Sequence, residues 1–139
     1  MSETPSCTPP KTGEFSWNEL ITHNTTAAGD FYGQLFGWKI IPFRAAEPTA
    51  VLPPYHLFTT ETNPMGVGGL MQATQPGTPT QWLAYVVVEN AETSLAKAVE
   101  LGAVVILPVM PIPQVGRIAV IQDPQGAALG LHELAKPSA

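Results

Sequence analysis

A single carboxylate interrupts the first apolar stretch of the chain. Glu19 stands between Asn18 and Leu20 in the run FSWNELIT, residues 15 to 22. Burying a carboxylate there without a partner is costly, and its pKa would rise. A carboxyl so placed can act as a general base or anchor a polar ligand. It can equally face an edge, or pair with Arg44 or Arg117. His132 is the second candidate for proton transfer, so Glu19 and His132 are the expected catalytic pair. His56 and Glu133 complete the set of plausible metal-ligating side chains, while His23 falls in a turn and reads as surface. Nucleophilic chemistry has little support. There is no G-x-S-x-G elbow, and the only cysteine, Cys7, lies in the N-terminal stretch. Gly66, Gly68 and Gly69 do not precede a helix, so they form no phosphate cradle.

The elements that must position these groups alternate strand and helix. Phe15 to Thr22 reads as a strand with Phe15, Trp17, Glu19 and Ile21 on one face. His23 to Thr26 is a turn with helix-capping residues, and Ala27 to Phe36 is a helix stopped by Gly37. Strands follow at Trp38–Phe43, Tyr55–Thr60 and Val67–Gln72, with a proline-studded loop from Arg44 to Pro54. After the linker QPGTP, the order repeats: strand Gln81–Val88, helix Ala91–Leu101 capped by Asn90 and ended by Gly102, then strands Val104–Leu107, Gly116–Gln122 and Ala127–Leu134. The third of these runs into the rigid segment Pro108 to Pro113, and Asp123-Pro124-Gln125-Gly126 makes the last turn.

The repeat is visible in the letters. WNELITHNTTAAGDFYGQLFG, from residue 17, is echoed by WLAYVVVENAETSLAKAVELG, from residue 82. Trp17 answers Trp82, and Phe36-Gly37 answers Leu101-Gly102. Two like halves imply a paired architecture. Each half is strand, helix, strand, strand, strand. Set side by side, the halves make a curved mixed sheet with an open concave side and the helices outside. The fold class is α+β. The expected division is a disordered tail over 1–13, one domain over 14–134 (halves about 14–74 and 80–134) and a short tail over 135–139.

The bulk numbers agree with one globular domain. The chain has 139 residues, 45% apolar and only 12% charged, enough to bury a core. The net charge of −5, with no basic run, argues against nucleic acid as a partner. No apolar run approaches the ~20 residues of a membrane span, and the polar, proline-rich N-terminus has no secretory core. The expectation is a cytoplasmic protein without a membrane partner.

The βαβββ pair resembles the vicinal oxygen chelate superfamily, which includes glyoxalases, bleomycin-resistance proteins and extradiol dioxygenases. The words that carry the likeness are Phe31-Tyr32, Leu35-Phe36-Gly37-Trp38, Trp82 to Val88, Leu101-Gly102, Pro108 to Pro113 and GRIAVIQDPQGA from Gly116 to Ala127. It covers residues 14 to 134, and the last phrase is similar to a glyoxalase-like subgroup. The resemblance implies a divalent metal held by His, Gln or Glu from the first and last strand of each half, gathering two neighbouring substrate oxygens. Those positions fall here at Trp17 or Asn18, Leu70, Trp82 or Leu83, and Gly130. Asn18 alone among them offers an oxygen. The expectation is therefore a cup without the usual metal and with no cofactor. The alternative is one divalent metal on relocated ligands drawn from Glu19, His56, His132 and Glu133.

The expected ligand is a small apolar or aromatic molecule. Trp17, His56, Phe58, Trp82, Met110 and Ile112 are the candidate lining, with Met71 beside them and Arg117 as a cation near the rim. Plain core packing is the competing account of each apolar residue, and a structural pair that of Arg117. The function expected is sequestration, as in the drug-resistance branch, or metal-independent catalysis as a lyase, isomerase or hydroxylase-like enzyme. A metal-dependent lyase or dioxygenase is the alternative. The resemblance also implies a homodimer.

Overall fold

A computed structural model describes residues 9–43 and 55–136. The expected loop from Arg44 to Pro54, Cys7 and Arg44 itself lie outside the described residues. Ten elements follow one another: β1 (Phe15–Thr22), α1 (Thr25–Phe36), β2 (Lys39–Pro42), β3 (Tyr55–Thr59), β4 (Gly68–Gln72), β5 (Gln81–Val87), α2 (Ala91–Glu100), β6 (Val104–Ile112), β7 (Gly116–Gln122) and β8 (Ala128–Leu134). The eight strands form one curved sheet in the order β2-β3-β4-β1-β5-β8-β7-β6. The order makes the two halves plain. Each half places its first strand at the centre, and these two strands, β1 and β5, pair antiparallel. Each central strand pairs in parallel with the last strand of its own half, β1 with β4 and β5 with β8.

Local chemistry sets the element ends. Asn24 caps α1 by accepting the Ala27 N–H at 3.0 Å, and Asn90 caps α2 by accepting the Thr93 N–H at 2.9 Å. Gly37 closes α1 at φ 75°, a left-handed conformation that favours glycine, and its N–H donates to the Gly33 carbonyl. Asp123 holds the last turn, its Oδ1 accepting from the Gln125 and Ala127 N–H groups.

The strand β6 is longer than the sequence suggests. It continues through the proline segment to Ile112, pairing only with β7, with irregular register between Val105 and Met110. Proline lacks a donor and is tolerated here because β6 is the edge of the sheet. Proline content therefore marks an edge strand, where the sequence reading stopped the strand at Leu107.

Both helices cover the same side of the sheet. Under α1, Leu20, Phe58 and Leu70 pack with Ala28, Tyr32, Trp38 and Ile40. Under α2, Ala119, Ile121 and Leu131 pack with Val88, Leu95 and Ala98. The other side, concave and free of helices, carries Ile21, Leu83, Tyr85 and Val120, joined by Trp17, Met71, Leu107 and Ile118. Strand alternation puts neighbours on opposite sides, so Leu20 faces a helix while Glu19 and Ile21 face the cup. Among the described residues, no helix is long and apolar enough to cross a membrane.

Candidate functional site

Glu19 lies at the middle of the concave face, on the central strand β1. It is 5% exposed, and its direct neighbours in register are Gly69 of β4 and Leu83 of β5. Each carboxyl oxygen accepts one hydrogen bond. The Tyr55 hydroxyl donates to Oε1 at 2.8 Å, and the Tyr85 hydroxyl donates to Oε2 at 2.8 Å. The Trp17 indole N–H in turn donates to the Tyr55 oxygen at 2.8 Å. A directed chain results, from Trp17 through Tyr55 to Glu19, with Tyr85 entering from the other side.

Two glycines make this arrangement possible. A Cβ built on Gly69 would fall inside the phenol of Tyr55, and one built on Gly130 would fall inside the ring of Tyr85. Each tyrosine thus lies across the glycine of the next strand. Glycine within a strand often marks such a close approach. The two rings can reach one carboxylate only because β4 and β8 present no side chain beneath them.

Burial raises the pKa of Glu19 above the ordinary carboxylate value, and the hydrogen bonds from Tyr85 and Tyr55 pull against that rise. Both tyrosines are raised as well, first by burial and then by the Glu19 charge beside them, so their hydroxyls stay protonated donors. Among the described residues the ion pairs are those of Arg117, and none reaches Glu19.

His132 also faces the concave side, paired with Ile118 across β7. Its Nε2 lies 2.8 Å from the Val115 carbonyl, which can only accept, so the neutral ring carries its proton there. Nδ1 then accepts the Ser16 hydroxyl at 2.8 Å. Ser16 is the extra residue of a bulge in β1, between Phe15 and Trp17. Met110 and Ile112 pair with Ile118 and Gly116, which sets them on the concave side too, towards the β6 edge.

Four expected lining residues lie elsewhere. Phe58 is fully buried on the helix side, in the α1 core. Trp82 sits on that same side, its indole N–H donating to the Tyr32 hydroxyl at 3.2 Å and its ring against Tyr32 and Phe58. His56 pairs with Leu70 and shares its helix-side face, and its buried Nδ1 has no hydrogen-bond partner among the described residues. Arg117 is also on the helix side, bridging Glu133 and Glu92 at 2.6 Å each. That pairing holds Glu133 below the ordinary carboxylate pKa, and Glu133 also caps the Ala91 N–H. Arg117 is thus a strut between β7, β8 and α2, matching its structural reading.

For Trp82 the reason is a register step. The letters align Trp17 with Trp82, but Trp17 pairs with Tyr85, and Glu19 with Leu83. Alternation therefore sets the two aligned tryptophans on opposite faces, while the bulge at Ser16 turns only Phe15, paired with Val86, away from the face that Trp17, Glu19 and Ile21 share. In the same way Gly69, not Leu70, is the β4 residue on the concave face beside Glu19. The sequence reading missed Tyr55 and Tyr85 altogether. The available signal was Gly69 and Gly130, glycines inside strands where a ring passes over the backbone.

At the positions the resemblance implies, the described residues do not fit a divalent metal. The position at Gly130 offers no donor and is filled by the Tyr85 ring. Glu19 is a single carboxylate held between two phenols, and His132 is engaged by Ser16 and Val115. His56 and Glu133 lie on the opposite face from Glu19 and His132, so the relocated ligand set is split by the sheet. Among the described residues no three His, Cys, Asp or Glu side chains come together as a metal-holding group.

The comparisons with known proteins follow the fold. The chain is 36% identical over 117 residues to "Putative glyoxylase CFP32" of Mycobacterium bovis, a match covering 84% of this chain and 42% of that protein. It is 28% identical over 131 residues to "Anthracycline biosynthesis protein DnrV" of Streptomyces peucetius, covering 86% of this chain and 46% of that one. It therefore spans less than half the length of these curated relatives. No family model matches the chain. Methylmalonyl-CoA epimerase of Streptomyces coelicolor superposes with a TM-score of 0.59 at 13% identity, over 91% of this chain and all of that one. The hypothetical protein BH1468 from Bacillus halodurans gives 0.61 at 11% identity, over 93% of this chain and 99% of that one. Sequence and fold together place the chain in the vicinal oxygen chelate superfamily, among its glyoxalase-like members.

Proposed function

We propose that this chain binds a small organic molecule on the concave face of its sheet, and that Glu19 with its two tyrosines, rather than a divalent metal, is the polar centre of the site. One observation carries this reading. The glycine that replaces a metal ligand, Gly130, makes room for the tyrosine that occupies the carboxylate. Trp17, Tyr55, Ile118 and Met110 supply an apolar and aromatic surface around that centre.

Proton transfer by Glu19 is a second reading, favoured by its raised pKa. A carboxyl that holds its proton more tightly than usual is a stronger base at the pH of the cell. The two readings separate by turnover. A binding protein returns its ligand unchanged, whereas an enzyme releases product and loses that turnover in Glu19→Gln.

The metal-free part of the proposal is tested first. Protein purified without added metal or a metal-binding tag is expected to hold well below about 0.1 equivalent of any divalent ion, and its ligand affinity should not change with a chelator. About one equivalent of a bound divalent ion, lost together with ligand binding on chelation, would overturn it.

A further inference from the structure

We infer that the molecule taken by this face is an organic ammonium ion, a protonated amine carried on an apolar or aromatic body. The inference rests on the concave-face reading above and names its ligand class.

The direction of every hydrogen bond in the cluster decides the matter. Three donors surround Glu19: the Trp17 indole N–H and the hydroxyls of Tyr55 and Tyr85. All three are consumed internally, Trp17 by Tyr55 and both tyrosines by Glu19. What the cluster has left is acceptor capacity alone. An ionised carboxylate has about four acceptor positions, and the tyrosines fill one on each oxygen. The Tyr85 oxygen donates to Glu19 and accepts from nothing among the described residues. A ligand group that docks there must bring donors. An anion or a bare carbonyl would meet only lone pairs.

Charge and shape narrow the donor to a cation. Glu19 is a buried carboxylate that no Lys or Arg among the described residues neutralises. Its two partners are phenols, with Trp17 bonded to the first of them, and aromatic rings attract a cation through their faces. Trp17 and Tyr55 are partly buried and lie on the concave side, where a ligand would meet them. Both lysine and arginine are scarce in the chain, and its net charge of −5 draws cations towards it. The apolar lining of Ile118, Leu107 and Met110 suits the body of such a ligand rather than its head.

The test is calorimetric titration with three probes of one shape: 2-naphthylmethylammonium, 2-naphthylmethanol and 2-naphthoate. At pH 8 the ammonium is expected to bind about 10- to 100-fold more tightly than the alcohol, the range for a hydrogen bond to a charged partner, and the naphthoate weakest of all. Glu19→Gln should erase the advantage of the ammonium over the alcohol. Wild-type protein gives a second readout that needs no variant. Lowering the pH through the titration of Glu19 should narrow the gap between ammonium and alcohol. Equal binding of ammonium and alcohol, or tighter binding of naphthoate, overturns the ammonium inference and leaves the concave-face reading standing. If none of the three probes binds, the concave-face reading falls with it.

Discussion

Gly130→Ala is expected to destabilise the fold by about 3 kcal/mol, an unusually large effect for adding one methyl group to a strand. The added Cβ would enter the space of the Tyr85 ring, which is itself only 4% exposed and packed against Ile21, Leu83 and Val120. Either the ring is forced off its rotamer, or it swings away and loses its bond to Glu19. Overpacking of this kind costs about 1–3 kcal/mol, and a hydrogen bond to a charged group about 1.5–3 kcal/mol. Tyr85→Ala alone should also be costly, about 3–5 kcal/mol, because it opens a cavity beside a carboxylate that has lost a donor. The double variant is the informative one. With the ring gone, the methyl group has room, so the two costs should fall short of additive by at least about 1 kcal/mol. Urea unfolding of the four proteins measures this directly, provided the slopes agree. Additivity within about 0.5 kcal/mol would mean that the ring does not rest on Gly130.

That geometry also shows what a single sequence conceals. The element order was legible because each element carries its own local signals. Apolar runs bounded by turn residues mark strands such as β7, asparagine caps open both helices, and glycines close them. The repeat announced the two-half sheet for the same reason. Which side of the sheet each residue faces is a different kind of fact. It depends on the register in which β1 pairs with β5, and the letters of the repeat do not specify that register. Aligning Trp17 with Trp82 therefore assigned two tryptophans to one face when they occupy opposite ones. Glu19 could be picked out because a charge in an apolar strand is locally anomalous. Its partners could not, since Tyr55 and Tyr85 are ordinary strand residues 36 and 66 positions away. Proline at Pro108 and Pro111 misled in the opposite direction, ending a strand that continues because an edge has no donor to lose on its outer side.

Glu19→Gln is expected to make the protein more stable, not less, and only above the acidic range. Glu19 has its pKa raised in the folded state, chiefly by burial. The folded protein therefore keeps the proton over a pH range in which the unfolded chain has already lost it. With more protons bound to the folded state, stability falls as pH rises from the ordinary carboxyl value, near 4.5, through the raised folded value. Below that window the carboxyl is neutral in both states, and the wild type and Gln proteins should differ little. Above it, the wild type carries a buried charge that the amide does not. Glutamine can still accept from one tyrosine and donate to the oxygen of the other, so the shape and bonds of the cluster are kept. The expected gain opens across that window and stays constant above it. Glu133 and Asp123 respond in the opposite sense, since their pKa values are lowered by Arg117 and by backbone donors respectively. The difference between wild type and variant at each pH removes those contributions. A difference that stays flat from pH 4 to about 9, or a variant less stable at the upper end, would sink the account of Glu19 as a charge held at a cost. A carboxylate that weakens the fold it sits in calls for a use. The ligand that would offset its burial is a cation, so the same ammonium probe should raise the unfolding temperature of the wild type and leave that of Glu19→Gln nearly unmoved.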